Sequence, residues 1–134
     1  MGEQLHLEIV TRHRRVLQTE VDEVRLPGVM GELGILPGHT PLLTALTIGR
    51  VAYTSGGVEH QLVVKDGFAE VQPDRVTVLA RDARLLDELD REHELSERQQ
   101  ANEALKTVDF DDFESVSGRL RSAEAALEVL GKAY

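Results

Sequence analysis

The segment from Asp66 to Ala80, DGFAEVQPDRVTVLA, shows how the first part of the chain folds. After a proline-containing turn signal at 72–74, apolar side chains recur at every second position as far as Ala80. Successive side chains of a β-strand point to opposite faces of a sheet. This period of two therefore predicts a strand with one buried face.

The same alternation recurs through the first part of the chain, and turn signals rich in glycine, proline and aspartate separate its segments. The signals lie at 26–28, 55–57, 65–67 and 72–74, and the alternating apolar residues are Leu5, Leu7, Ile9, Val24, Leu26, Val51, Tyr53, Leu62, Val64, Val76, Val78 and Ala80. Short strands joined by tight turns, with no helical pattern between them, predict an antiparallel β-sandwich or a flattened barrel.

The chain changes character near residue 81. All four prolines precede residue 74, and neither glycine nor proline occurs from Asp74 to Ser117. Spacings of three and four then place apolar residues on one stripe of a helix. Asp111 or Asp112 is the predicted cap of that helix, because a short acidic side chain accepts a hydrogen bond from a free backbone amide. The stripe consists of Phe113, Val116, Leu120, Ala123, Leu127, Leu130 and Tyr134.

An earlier helix is predicted from about Leu85 to Lys106, with Leu86 and Leu89 opening a stripe that polar residues continue. The break between the helices is short, which favours an antiparallel hairpin. The prediction is an α+β chain. It has an N-terminal antiparallel β-sandwich over residues 1–83 and a C-terminal α-helical hairpin over residues 84–134.

Composition excludes several classes of function. The 134 residues include no cysteine, which rules out a disulfide framework, a thiolate metal site and a cysteine nucleophile. The formal net charge of -9 argues against binding nucleic acid, which proteins bind mainly through clustered lysine and arginine. No segment approaches the roughly 20 apolar residues of a membrane span, so we expect a chain that meets a membrane only through a complex.

A second segment, GELGILPGHTPLL at 31–43, has three interpretations: a phosphate loop, the site of a catalytic histidine, or a shaped surface. A phosphate loop is disfavoured because Pro37 and Pro41 interrupt any helix and no lysine is present. A loop histidine that hydrogen-bonds backbone is the simpler interpretation of His39. The aliphatic residues of this segment either belong to the core or are presented to a partner, and both alternatives remain open.

No catalytic or metal site emerges from the remaining residues. The histidines at 6, 13, 39, 60 and 93 form no pair with metal-ligand spacing. No nucleophile, base and orienting group can be assembled from the sequence, so we expect no catalytic residue, no metal and no cofactor.

Together these segments resemble the epsilon subunit of the bacterial F-type ATP synthase. The resemblance covers essentially the whole chain, and its specific parts are GELGILPGHTPLLTAL and DGFAEVQPDRVTVLA, followed by the helical hairpin. It implies a sandwich of about ten strands. It also implies a rotor subunit of the central stalk that couples proton flow to ATP synthesis and has no catalytic site of its own. Its place would be the cytoplasmic face of the bacterial plasma (inner) membrane, peripheral to it. The alternative is a free-standing regulatory or adaptor module, which would not co-purify with gamma.

The resemblance also implies roles for particular residues. The turn Gly31, Glu32, Leu33 and Gly34 would contact the ring of c subunits. The gamma subunit would be contacted by His39, Leu42 and Leu43. The second helix of the hairpin, with Arg119 and Arg121, would inhibit ATP hydrolysis at the alpha/beta hexamer.

Many members of this family carry an I/L-D-x-x-R-A motif at the start of the first helix, which is tied to ATP binding where it occurs. Leu89 and Asp90 match that motif, but His93 stands in place of its arginine. Arginines that hold phosphates from the second helix are replaced by Ser122 and Ala126. We therefore predict that ATP binding is weak or absent.

Overall fold

Alternating apolar side chains form the strands of an eight-stranded sheet in the computed structural model, which describes residues 3–132. Every residue of the predicted alternating set is buried except Tyr53, which is half-buried and packs against the same core. The strands are β1 (Leu5–Val10), β2 (Arg15–Val21), β3 (Glu23–Gly28), β4 (Gly31–Ile35), β5 (Leu42–Leu46), β6 (Gly49–Ser55), β7 (Val58–Gln72) and β8 (Arg75–Leu85).

The eight strands form one hydrogen-bonded sheet that folds over into two layers around the core. β7 and β8 make a long antiparallel ribbon whose two halves belong to different layers. In β7 the positions that lie in the sandwich core are Leu62 and Val64 in the first half and Ala69 and Val71 in the second, so the inward face changes from even to odd residues. The predicted sandwich is confirmed with eight strands rather than about ten, because each strand of this ribbon serves both layers.

The change of face occurs at Asp66 and Gly67, which have φ angles of 53° and 129°. The backbone of β8 passes so close that a Cβ on Gly67 would lie 2.1 Å from the carbonyl oxygen of Leu79. Glycine is therefore required here both by its left-handed φ and by the close approach of a neighbouring strand. The prediction of a turn at 65–67 is wrong, since these residues lie inside β7.

One pair of neighbouring strands departs from the predicted antiparallel arrangement. β1 lies between β2 and β8, and it runs parallel to β8 with Leu7 opposite Val76. Tight turns reveal only pairs of strands that are consecutive in the chain. A parallel pair formed by the first and last strands leaves no such signal.

The helical hairpin follows β8, which extends to Leu85, so the predicted domain boundary between residues 83 and 84 falls inside that strand. A short 3₁₀ turn (Leu86–Glu88) precedes α1 (Arg91–Leu105) and α2 (Phe110–Lys132). The first helix begins later than predicted because the side chain of Asp90 accepts a hydrogen bond from the amide of Glu92.

The second helix also differs from its prediction in detail. Asp109 Oδ1 accepts a hydrogen bond from the amide of Asp112 at 3.1 Å, so the capping residue precedes the two candidates. Phe113 is exposed, and Tyr134 of the predicted stripe lies outside the described residues. The buried residues of α2 are Ala123, Ala126, Val129 and Leu130. No helix in the described part of the chain has the length and apolar character that a bilayer crossing requires.

Candidate functional site

The candidate c-ring residues Gly31 to Gly34 lie on the edge strand β4 rather than in a turn. The turn is the pair Val29 and Met30, and Met30 is 95% exposed. Gly31, with a φ of 126°, returns the chain to β4, whose one partner strand within residues 3–132 is β3. Glu32 is exposed opposite Pro27, whereas Leu33 is half-buried and packs against the core. The structure therefore presents Glu32 to solvent beside an exposed methionine.

His39 occupies a loop between β4 and β5. The amide of Gly38, whose φ is 86°, donates to the carbonyl oxygen of Pro73 at 2.7 Å and fixes the loop on the turn between β7 and β8. Nδ1 of His39 lies 2.6 Å from the carbonyl oxygen of Thr40, so that nitrogen carries the proton and donates it. The interpretation of His39 as a loop histidine bonded to backbone is confirmed.

The aliphatic residues of the 31–43 segment divide between core and surface. Ile35 is fully buried, whereas Leu36 and Leu43 are mostly exposed, Leu43 by 71%. Leu42 and Leu43 are consecutive in β5 and so point to opposite faces of the layer. The structure therefore places only one of these two leucines on the outer face.

Leu43 shares its outer face with two residues that the sequence analysis did not single out. Phe68 of β7 lies opposite Ala45 of β5 and opposite Leu79 of β8. Phe68 and Leu79 are 55% and 56% exposed. We call Leu43, Ala45, Phe68 and Leu79 the apolar face. Phe68 and Leu79 are next to buried residues in their strands, and this period of two could have predicted that both side chains point to the outer face.

The residues of the altered nucleotide motif lie around a cleft between the hairpin and the sandwich. Leu89 packs against Val63 and Ala126, and Asp90 caps α1. His93 is exposed at the rim. The cleft has a volume of about 120 Å³. It is lined by side chains of β7, β8, both helices and the segment before α1: Val63, Lys65, Arg84, Leu89, His93, Glu94, Glu97, Arg119, Ser122, Ala123 and Ala126.

Charges in this cleft are already paired within the chain. Arg119 of α2 donates to Glu97 of α1 at 2.9 Å. Lys65 and Arg84 both lie within 4 Å of Asp82, at 3.8 and 3.5 Å. Burial raises the pKa of Glu94 above its ordinary value, against the opposing effect of nearby His93 and Lys65. Since sites for small ligands usually measure about 300–1,000 Å³, this cleft is small for a nucleotide, and its lysine and arginine side chains already pair with carboxylates of the chain.

The hairpin is folded down on the sandwich. Val63 points outward from β7 and packs against Ala126 and Val129 of α2. Gly118 allows a close approach, because a Cβ there would lie 3.4 Å from Ile48 Cδ1. Two polar contacts join the same surfaces: Arg50 Nη1 to Glu128 Oε1 at 2.8 Å, and Arg121 Nη1 to Thr47 Oγ1 at 3.3 Å. Arg119 and Arg121, the candidate regulatory residues, are thus both engaged within the chain.

No group of three or more histidine, aspartate or glutamate side chains within residues 3–132 is arranged to hold a metal ion. The structure brings together two kinds of feature. One is a set of exposed surfaces on the sandwich, and the other is a hairpin docked through a small apolar contact with one ion pair and one hydrogen bond beside it.

Comparison with known proteins gives concordant results. The family model described as ATP synthase, Delta/Epsilon chain, beta-sandwich domain matches residues 4–85. The ATP synthase epsilon chain of Geotalea uraniireducens is 42% identical over 135 residues, covering 99% of this chain and 98% of that relative. The epsilon chain of Nitratidesulfovibrio vulgaris is 51% identical over 92 residues, 69% of each chain.

A solved structure shares the fold over both the sandwich and the hairpin. It is a chain of the Euglena gracilis mitochondrial ATP synthase, determined with OSCP, F1 and the c-ring in rotational state 1. Its TM-score is 0.85 at 24% identity, with 97% of this chain and 83% of that chain covered.

Proposed function

The chain belongs to the ATP synthase delta/epsilon-chain family, and on that premise we propose that it is a rotor subunit of the central stalk. As an epsilon chain it is a non-catalytic subunit of the ATP synthase. In the proposal it links gamma to the c-ring and so couples proton flow to ATP synthesis. The observation that carries this proposal is the match to epsilon chains over nearly the whole chain, hairpin included.

The proposed place is the cytoplasmic face of the bacterial plasma membrane, which the chain would reach through its partners. The family and its bacterial relatives support this location. It also agrees with the lack of a membrane-crossing helix among residues 3–132.

The apolar face is the proposed contact for gamma. Leu43, Phe68 and Leu79 are each more than half exposed on the outer side of one layer, and exposed apolar patches on soluble proteins mark interaction sites. The hairpin docks on the other outer face, at Val63, and leaves this surface free. His39 and Leu42 would lie at the border of the contact, since both are close in the chain to Leu43.

The edge strand β4 is the proposed contact for the c-ring. Glu32 forms no ion pair with another residue in the range 3–132, and it lies beside the exposed side chain of Met30. An unpaired carboxylate on an edge strand can accept hydrogen bonds from a polar loop without first breaking a contact of its own.

Cross-linking tests both contacts, because the chain has no cysteine of its own. Cysteine at Glu32 is expected to form a disulfide with a cysteine in the polar loop of the c subunit, and cysteine at Leu43 with one on gamma. Cysteine at Glu59, exposed at the tip of the β6–β7 hairpin, is the matched control. Equal yields from positions 32 and 59, or from 43 and 59, would contradict the corresponding contact.

The hairpin is the proposed regulatory element. Because Arg119 and Arg121 are engaged by Glu97 and Thr47, they must leave these partners before they can bind the alpha/beta hexamer. Deleting residues 84–134 is expected to leave synthesis coupled and to raise hydrolysis moderately. The deletion exposes Val63, so the truncated chain should also be made with Val63→Ser as a control for aggregation. Loss of coupling in both truncated chains would overturn this part of the proposal.

ATP binding is proposed to be weak or absent. The cleft beside Leu89 and His93 is small. Its cationic side chains already have partners, which phosphates would have to displace: Arg119 pairs with Glu97, and Lys65 and Arg84 pair with Asp82. Isothermal titration calorimetry of ATP into the purified chain is expected to show no saturable heat at micromolar concentrations. A micromolar dissociation constant would refute the expectation.

A further inference from the structure

The turn between α1 and α2 carries two exposed phenylalanines among carboxylates. Phe110 is 95% exposed and Phe113 49%, and their spacing of three residues puts them on the same side of α2. The neighbouring carboxylates suit the positive end of a helix, which accounts for the charges but not for two aromatic rings in water. We call residues 109–114, DFDDFE, the acidic tip.

A groove of opposite character lies at the turn between β1 and β2. It has a volume of about 560 Å³, its apolar walls include Val10 and Leu79, and its basic side chains are Arg12, His13 and Arg81. Arg81 is paired with Asp66 at 2.9 Å, whereas no hydrogen bond or ion pair joins the Arg12 guanidinium to another residue in the described range 3–132. Arg12 is therefore a cation with no partner among the described residues, beside the exposed Leu79, in a chain of net charge -9. We call this site the basic groove.

The acidic tip cannot reach the basic groove of its own chain while the hairpin is docked. α2 is held on the outer face of β6 and β7 by the contact of Ala126 with Val63 and by the ion pair of Arg50 with Glu128. The basic groove opens on β1 and the first half of β8, in the other layer of the sandwich. Complementary surfaces that cannot meet within one molecule can meet between two.

We propose that the acidic tip of one chain binds in the basic groove of a second copy, so that free chains associate head to tail. Phe110 and Phe113 would pack against Val10 and Leu79, while the carboxylates of the tip face Arg12. The contact is heterologous, so it leaves one tip and one groove unused and can extend beyond two copies. Leu79 also belongs to the apolar face, so gamma, if bound as proposed above, would exclude this association.

Sedimentation equilibrium of the purified full-length chain tests the proposal. Between about 5 and about 500 µM protein in low salt, the average mass should rise above the 14.9 kDa of one chain, as mass action requires. In about 0.5 M salt the rise should largely disappear, because screening weakens contacts between exposed charges. A mass that stays at one chain throughout low salt, or an association that salt leaves unchanged, overturns the proposal.

Two variants then identify the surfaces. The tip variant, Phe110→Ser with Phe113→Ser, and the groove variant, Arg12→Glu, should each associate at least about tenfold more weakly than the native chain. Val58→Ser, which removes an apolar residue that is 56% exposed on the β6–β7 hairpin, should associate like the native chain. Circular dichroism and thermal unfolding confirm that each variant is folded, as expected for exposed positions.

Mixing the two variants gives the decisive result. The tip variant keeps an intact groove and the groove variant keeps an intact tip, so their equimolar mixture should form pairs and stop at two copies. A groove variant that associates by itself would mean tip-to-tip contact, and a mixture that stays monomeric would mean that these surfaces do not bind each other. Either result overturns the proposal without bearing on the contacts with gamma or the c-ring.

Discussion

Glu88→Gln should weaken the attachment of the segment that joins the sandwich to the hairpin. Glu88 Oε1 accepts hydrogen bonds from Arg14 Nη2 at 2.7 Å and from the amide of Leu85 at 2.9 Å. The same Arg14 nitrogen donates to the carbonyl oxygen of Ala83. Glutamine can still accept from Leu85 but carries no charge, so the substitution removes the ionic part of the contact alone.

The magnitude follows from the pKa of Glu88. The hydrogen bond from Arg14, with a second from the Leu85 amide, lowers that pKa from 4.5 to about 2. At about 1.36 kcal/mol per pKa unit this corresponds to a ceiling of roughly 3 kcal/mol in the free energy of unfolding. The side chains of Arg14 and Glu88 are 43% and 31% exposed, so solvent screening reduces the expected effect to about 1 kcal/mol.

The sign of the pH dependence is fixed by the direction of the shift. A carboxyl whose pKa is lowered on folding stabilises the native state fully above its unfolded pKa. That contribution is lost as the pH falls from about 4.5 to about 2. The native chain and the Glu88→Gln variant should therefore differ by about 1 kcal/mol at pH 7 and converge near pH 2.

Urea unfolding of the two chains across this pH range measures the difference directly. Glu124→Gln, at an exposed position of α2, is the matched control and should change stability little at any pH. Titration of the Glu88 carboxyl carbon by NMR gives an independent value of its pKa. A pKa above about 4, or equal stabilities of the two glutamine variants at pH 7, would refute the reasoning.

Three further predictions concern other parts of the molecule. Gly67→Ala should lower the free energy of unfolding, measured in urea, by at least about 2 kcal/mol, because the added Cβ would collide with a backbone oxygen. Gly57→Ala, where φ is also positive but the space is open, should lower it by about 1 kcal/mol, and equal effects of the two substitutions would contradict this reasoning. Val129→Ala should release the hairpin about tenfold more often, because two methyl groups leave the docking contact, and faster hydrogen exchange in α2 would report it; unchanged exchange would count against it. Leu43→Asp should abolish co-purification with gamma while Val58→Asp preserves it, and identical behaviour of these two variants would remove the apolar face from the proposal.

Local alternation was enough to predict the strands and their inward faces, because burial on one side of a sheet imposes a period of two. It was not enough at Asp66 and Gly67. A glycine after an aspartate indicates a turn, yet here it serves a close approach between two paired strands. A turn and a close approach of two strands both favour a glycine with positive φ, so the sequence alone does not distinguish between them.

The helices show a second limit of prediction. Spacing placed Phe113 and Ala123 on one stripe, but only Ala123 is buried. The buried side of α2 is set by the position of the helix on Val63 and on α1, and that position depends on contacts far apart in the chain. The cleft beside Leu89 was unpredictable for the same reason, since Lys65, Arg84 and Arg119 meet there from three separate elements.

The course of β7 and β8 through both layers has a mechanical consequence. The apolar face, at Phe68, and the surface that receives the hairpin, at Val63, lie five residues apart on one strand. A force applied at the first surface reaches the second along covalent backbone, with the hydrogen bonds between β7 and β8 loaded in shear. Two stacked sheets with no shared strands would instead pass that load through side-chain packing alone and could slide. In the proposed rotor subunit, the shared ribbon would connect the proposed gamma contact to the surface that receives the hairpin through continuous backbone.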